Sequence, residues 1–393
     1  MRRRTRHTAV VAAAVLLGVG AACAGPSGDG RPAAGQRSGP PAPAPDRPRG
    51  FTLVASGDVL PHDSVIRQAG QDATDGTYDF RPMLAGVRSV VASADLAICH
   101  METVYGEDGD YSGYPAFKSP PQIAKGLAAT GYDACSTASN HSLDDGAEGI
   151  RRTLDALDTA GIRHSGSART ATEASTPARL TSGGAEVAQL AYTYGTNDHP
   201  LPEGRPWAVS PLDERRIIAD ARAARKAGAD VVVLSLHWGT EWQTEPDEQQ
   251  LALAASLTAS TTGGRPDVDL ILGTHAHVPQ PYEKVNGTWV VYGMGDQISG
   301  PMFDYSGRWD ARGNQGSIGR FTFAPPAAPG QRWRVTKAEF IPQWMDTGTG
   351  RVVNLPAALA AEGDRDDYRE TLESISASVV SRGAAKDGLT MGR

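Results

Sequence analysis

Thr137-Ala138-Ser139-Asn140-His141-Ser142-Leu143-Asp144-Asp145-Gly146 places an amide and an imidazole side by side between two apolar stretches. The stretch before it, residues 132–136, reads as a short strand. The stretch after it puts Ile150, Leu154 and Leu157 four and then three residues apart, which is one face of a helix. Strand, polar turn and helix in that order form the unit of an α/β fold. Such folds do chemistry in the crevice outside the carboxyl ends of their strands. Asn140 and His141 stand at that position.

The same pattern recurs outward along the chain. Residues 51–56 are strand-like and run into Gly57-Asp58, and residues 95–99 run into His100-Met101-Glu102. Residues 230–236 are almost continuously apolar, the pattern of a strand covered on both faces, and end in His237-Trp238-Gly239. Residues 268–272 end in Gly273-Thr274-His275-Ala276-His277, and residues 289–292 close on Gly293-Met294-Gly295-Asp296. Helices are expected over 81–93, 213–228 and 247–258, and a hairpin over 178–193 turned at Ser182-Gly183-Gly184. From Ile318 the pattern is strand-like again. The alternation predicts an α/β sandwich with a second, antiparallel portion. The loop over 103–121, rich in Gly, Tyr and Asp, is long enough to be functional.

The rest of the 393-residue chain sets bounds. A net charge of −7 argues against a nucleic-acid partner. Three cysteines, Cys23, Cys99 and Cys135, are too few for a disulfide framework. Cys99 and Cys135 each close an apolar strand and are read as buried thiols, with a pairing between them as the other option. Met1-Arg2-Arg3-Arg4-Thr5-Arg6 followed by an apolar run over 8–22, too short for a stable span, is an export signal. Gly20-Ala21-Ala22-Cys23 resembles a bacterial lipoprotein cleavage site. Residues 1–23 are therefore read as a signal cut before Cys23, whose acylation would anchor the protein to the extracytoplasmic face of the cell membrane. Plain secretion is the alternative. Residues 24–50, dense in Pro, Gly and Ala, form a disordered tether. The folded domain is expected over 51–345, followed by a surface helix and a loose tail over 346–393.

Each candidate site residue has an ordinary reading when taken alone. Asp58 suits a turn, Asn140 a helix cap, and His141 or His237 a packed core. Together they have a common one. Successive strands deliver Asp58, Glu102, Asn140-His141, His237 and His275-x-His277 at their carboxyl ends, and oxygens and neutral imidazoles from separate loops are what a divalent ion needs. Two ions could share one carboxylate and clamp both oxygens of an ester under hydrolysis, with a spare histidine donating a proton.

This series, with His237-Trp238-Gly239-Thr240-Glu241, Gly273 to Gln280 and Tyr292 to Asp296, resembles the CapA family of poly-γ-glutamate capsule biosynthesis proteins. Their domain is related to calcineurin-like metallophosphatases. The resemblance runs in order from Phe51 to Phe323. It implies a four-layer αββα sandwich, an extracytoplasmic location and a role in making, releasing or anchoring an anionic polypeptide capsule, with capsule-synthesis proteins of the membrane as partners. By the same resemblance Asp58, Glu102, Asn140, His237, His275 and His277 are metal ligands. His141, His237 and Glu241 are the catalytic candidates, and one or two divalent ions (Mn, Zn, Fe or Mg) the cofactor. Two functions follow as alternatives: a metal-dependent hydrolase or transferase acting on a surface polymer or phosphoester, and a non-catalytic protein that binds or anchors an anionic polymer. Three positions depart from the family pattern. His100 stands for Asn and either adds a ligand or points elsewhere, Asp296-Gln297 stands for Asn-Phe, and no histidine lies two residues after Asp58, His62 being four residues on.

Overall fold

The computed structural model describes residues 48–393 except 329 and 364. The leader, Cys23 and the tether up to residue 47 lie outside the described residues.

The strand Phe51–Val59 shows how the layers arise. Successive side chains of a strand point to opposite faces. Phe51, Leu53 and Ala55 enter one apolar layer and Val54 the layer behind it. The strand Val231–His237 splits likewise, Val231 and Val233 to the inside and Val232 and Leu234 to the outside. The inner layer is therefore made by two sheets facing each other. Helices cover the back of each sheet. Asp63–Asp72, Gln122–Thr130 and Gly146–Ala160 pack behind the first through Val65, Leu127 and Leu154. Glu214–Lys226 and Glu248–Ala259 pack behind the second through Ile217, Ala221 and Leu257. The result is the expected αββα sandwich, and burial on both faces accounts for the almost continuous apolar run over 231–236.

The first sheet runs Arg351–Asn354, Arg334–Asp346, Gln315–Ala324, Phe51–Val59, Leu96–Met101, Ala134–Ser136, Arg163–Ser165. Its last four members are parallel and the others antiparallel. The second runs Tyr282–Val285, Thr288–Val291, Leu270–Thr274, Val231–His237, Ala185–Thr193, Ala178–Ser182, with a parallel centre. The site residues expected from the sequence lie at or just beyond the carboxyl ends of the parallel strands.

Several sequence expectations need correction. The helix expected over 81–93 shrinks to Arg88–Ala92. Gly86 lies so close to the neighbouring chain that an added Cβ would meet Val352 O at 2.2 Å, so backbone contact replaces a helical turn there. Helix Asp63–Asp72, held by Val65, Ile66 and Ala69, had too few apolar positions to be read in advance. The C-terminal segment is not a loose tail. Tyr368, Ile375 and Val379 of helix Asp366–Val380 are buried in the layer between the sheets, and Leu389–Met391 pairs in parallel with Arg334–Asp346. Cys99 and Cys135 are register partners on adjacent strands, with Cα atoms 4.4 Å apart, and are joined as a disulfide. Strand register, which the sequence does not reveal, decides that pairing.

Candidate metal centre

Three neighbouring strands put Asp296, Asp58 and His100 in a row, since Asp58 is in register with Asp296 on one side and His100 on the other. Gly57 makes this approach feasible. A Cβ there would sit 1.7 Å from Gly295 O, so only glycine lets the strand carrying Asp296 close in. From the facing sheet come His237, the last residue of its strand, and the loop Thr274 to His277. His275 and His277 adopt φ values of 93° and 56°. Holding a non-glycine residue in this left-handed region costs on the order of 1–3 kcal/mol, and such strain collects at functional sites.

Burial of the two acids is nearly complete. Asp58 is 0% and Glu102 1% exposed. Asp58 Oδ2 accepts the His275 backbone N–H at 3.0 Å, while its Oδ1 and both oxygens of Glu102 have no hydrogen-bond partner. Neither acid pairs with Lys or Arg among the described residues. Imidazoles surround them instead. His100 Nε2 lies 3.5 Å and His237 Nδ1 3.9 Å from Asp58 Oδ1, and His277 Nδ1 lies 3.8 Å from Oδ2. Glu102 Oε1 is 3.6 Å from His237 Nε2 and 3.8 Å from His277 Nε2. Asn140 Oδ1 meets His237 Nε2 at 2.8 Å, and the His275 ring centroid is 4.7 Å from that of His237. The six residues expected as ligands thus converge on one place.

Ionisation in this cluster is displaced from the ordinary order. Burial pushes Asp58 up to about 8, against the pull of His277. Burial and the neighbouring Asp58 drive Glu102 well above the usual carboxylate range. Burial takes His100 down to about 3 and His237 and His275 well below the usual imidazole value. Burial also works against protonation of His277, but Asp296, Glu102 and Asp58 outweigh it and hold its pKa well above 6.5. Without a cation the cluster is short of positive charge. A divalent ion fits that deficit: its donors are buried carboxylate oxygens without partners and, at His100, His237 and His275, imidazoles already kept neutral.

The ligand atoms fall into overlapping groups, each within 4.8 Å: Asp58, His100 and His237; Glu102, His237 and His275; Glu241, His275 and His277; Asp58, His277 and Asp296. Glu241, half-buried at the rim, also accepts the Tyr305 hydroxyl. His141 is set apart from these groups. Its Nδ1 meets Asp144 Oδ2 at 2.6 Å, and Phe117, from the loop over 103–121, packs edge-on at 4.8 Å. His62 stays outside, its Nδ1 engaged by the Gly300 N–H. The basic residues of the surrounding loops are neutralised: Lys118 by Asp110, Arg308 by Asp304 at 3.1 Å, and Arg312 by Asp310 at 2.6 Å.

Sequence reasoning settled no role for four residues that matter here. Asp144 was visible three residues after His141. Thr274, 3.0 Å from His237 Nδ1, had no signal beyond its place before His275. His100 and Asp296, whose Oδ1 lies 2.9 Å from His277 Nδ1, showed as departures from a family pattern, with a ligand role for His100 left open.

Residues 52–301 match the family described as bacterial capsule synthesis protein PGA_cap. Relatives include a protein named as a probable polyglutamine synthesis accessory protein of Mycobacterium tuberculosis, 27% identical over 228 residues, covering 55% of this chain and 57% of the relative. Another is the PGA biosynthesis protein CapA of Bacillus subtilis, 27% identical over 244 residues, covering 62% of this chain and 61% of the relative. The chain thus spans less than two thirds of the length of either. A calcineurin-like phosphoesterase from Bacillus subtilis aligns with 84% of this chain and 99% of its own at 16% identity and a TM-score of 0.42.

Proposed function

The chain belongs to the PGA_cap family of bacterial capsule synthesis proteins, and on that premise we propose that it is an exported cell-envelope hydrolase or transferase that uses a divalent cation. Its substrate is a phosphoester or amide of a surface polymer, in the first instance an anionic polypeptide of the kind for which its relatives are named. The observation that carries this reading is the convergence of Asp58, Glu102, Asn140, His237, His275 and His277, with partnerless carboxylate oxygens at its centre. The Cys99–Cys135 disulfide supports an oxidising compartment outside the cytoplasm. No helix among the described residues is long and apolar enough to cross a membrane. The lipoprotein-like Gly20-Ala21-Ala22-Cys23 supports attachment through an acylated Cys23, with capsule-synthesis proteins of the membrane as partners.

Those six residues hold the cation. When bound, a divalent ion acts there as a Lewis acid on the ester or amide oxygen. His141 is the spare imidazole. Asp144 fixes its Nδ1, leaving Nε2 to give a proton to the leaving group. Glu241, steadied by Tyr305, orients the substrate at the rim.

The test uses bis(p-nitrophenyl) phosphate as probe and mass-spectrometric metal analysis of the purified protein. His141→Ala should lower turnover by roughly 100- to 10,000-fold, the range for a positioned proton donor, and leave the cation content unchanged. A protein that takes up no cation on soaking, or a variant as active as wild type, defeats the proposal. A second reading, polymer binding without turnover, is favoured by His100 and Asp296 standing where the family pattern has amides. It predicts that poly-γ-glutamate binds wild type and His141→Ala equally while neither turns over the probe.

A further inference from the structure

His100 is a residue of the cluster that the function above leaves idle. It lies on strand Leu96–Met101 in register with Asp58, and it is 2% exposed. Its Nδ1 is 2.7 Å from Ser136 Oγ, and that hydroxyl in turn points its proton at Cys99 O, 3.4 Å away. In the tautomer that gives its Nδ1–H to Ser136 Oγ, the lone pair of the ring falls on Nε2. That nitrogen has no hydrogen-bond partner. It faces Asp58 Oδ1, equally without one, at 3.5 Å. Two buried acceptors aimed at each other are unfavourable unless something positive lies between them. The ring is also held in place, stacked on His237 with centroids 4.8 Å apart and planes at 21°.

We infer that His100 is itself a cation ligand, completing with Asp58 and His237 a three-donor face that replaces the histidine missing two residues after Asp58. The three ligand atoms lie within 4.8 Å of one another. Two imidazoles to one carboxylate suit a transition-metal dication such as zinc, iron or cobalt better than magnesium, which prefers oxygen. The chain has moved the donor from its own strand to the neighbouring one. Adjacent parallel strands place registered side chains on the same face, so a histidine opposite Asp58 reaches the same space.

This inference rests on the cation reading above, and its test separates the two. Chelator-treated protein is reloaded with cobalt(II), the bound metal is counted after dialysis, and the visible spectrum is recorded. His100→Asn keeps a polar group of similar reach, and His100→Phe keeps a ring to stack on His237 without a donor. Both should lose one bound cobalt or weaken its binding by roughly 10- to 100-fold, the scale on which even residues that support a ligand count. Both should also shift the cobalt absorption bands, and magnesium should compete poorly in wild type. Melting in chelator within a few degrees of wild type shows that the variant is folded. If one variant fails to fold, the other decides. Wild-type stoichiometry, affinity and spectrum in the folded variant overturn the inference while leaving the cation reading intact. Wild-type protein that binds no cobalt overturns both.

Discussion

The strand Leu270–Thr274 has a buried carboxylate next to each end, and the two are treated in opposite ways. Asp269, just before it, is paired with Arg225, lies 3.1 Å from Arg332 and accepts the Val232 N–H at 2.7 Å. At the other end Asp58 accepts only the His275 N–H, and its second oxygen is bare. Burial raises both, Asp269 to about 7 against Arg225 and Asp58 to about 8 against His277. The chain therefore has the means to neutralise a buried acid with guanidinium groups and does so at one end only. An acid answered from within the protein is structural. An acid faced by imidazoles instead of guanidinium groups, with one oxygen left bare, is kept for a charge that comes from outside.

The largest expected effect breaks the first half of that comparison. Asp269→Asn leaves two mostly buried arginines without their counter-charge, and breaking such a pair costs about 3 kcal/mol or more. Asp58→Asn, in the presence of chelator, should cost little or even stabilise, because it removes an acid whose charged form has no partner. Urea unfolding of both variants in EDTA reads the difference. Equal losses at the two positions would mean that Asp58 is as structural as Asp269.

The same contrast explains what the sequence disclosed. The strand-end positions of Asp58, Asn140, His237 and His275 were legible because strand, turn and helix periodicity is local. So was the α/β sandwich, through the alternation of strands and helices, whereas its four layers were implied only by the family resemblance. What could not be read was set by pairing between distant strands: the Cys99–Cys135 bond, the row Asp296, Asp58 and His100, and the strand Leu389–Met391 drawn from an apparent tail. Asp269 was invisible as a core charge because its arginines come from residues 225 and 332, and nothing local marks them as its partners.

A smaller effect, in pH, sharpens the comparison. Burial holds both acids above the ordinary aspartate value in the folded state. The stability each contributes is thus fully present below about pH 4 and is lost as pH rises through about 7 for Asp269 and about 8 for Asp58. In EDTA, the stability difference between wild type and Asp58→Asn should therefore move against wild type as pH climbs from 5 to 8. Cation affinity runs the other way. The ion needs Asp58 deprotonated, so each pH unit lost below about 8 should weaken binding about tenfold for that one proton. Calorimetric titration with manganese(II) or zinc(II) at several pH values measures the slope. An affinity that does not change with pH would place the cation away from Asp58. The Asp269→Asn variant, where it folds, should keep the wild-type slope.

The smallest expected effect concerns Asp296, which lies on the far side of Asp58 from His100. Its Oδ1 is 2.9 Å from His277 Nδ1, while its Oδ2 has no hydrogen-bond partner, the nearby Ser299 hydroxyl donating instead to Gly313 O. A carboxylate on one ring nitrogen fixes the tautomer and makes the other nitrogen a better ligand. Here that other nitrogen is Nε2, 3.8 Å from Glu102 Oε1. Asp296→Asn can still accept from Nδ1–H but no longer supplies charge. Cation affinity should fall by roughly tenfold with stoichiometry unchanged, the lower end of what such supporting partners contribute. Loss of a whole cation would instead make Asp296 a direct ligand, joined with Asp58 and His277 in a seat of its own. No change at all would leave His277 held by its backbone alone, with the left-handed φ of 56° sufficient to aim the ring.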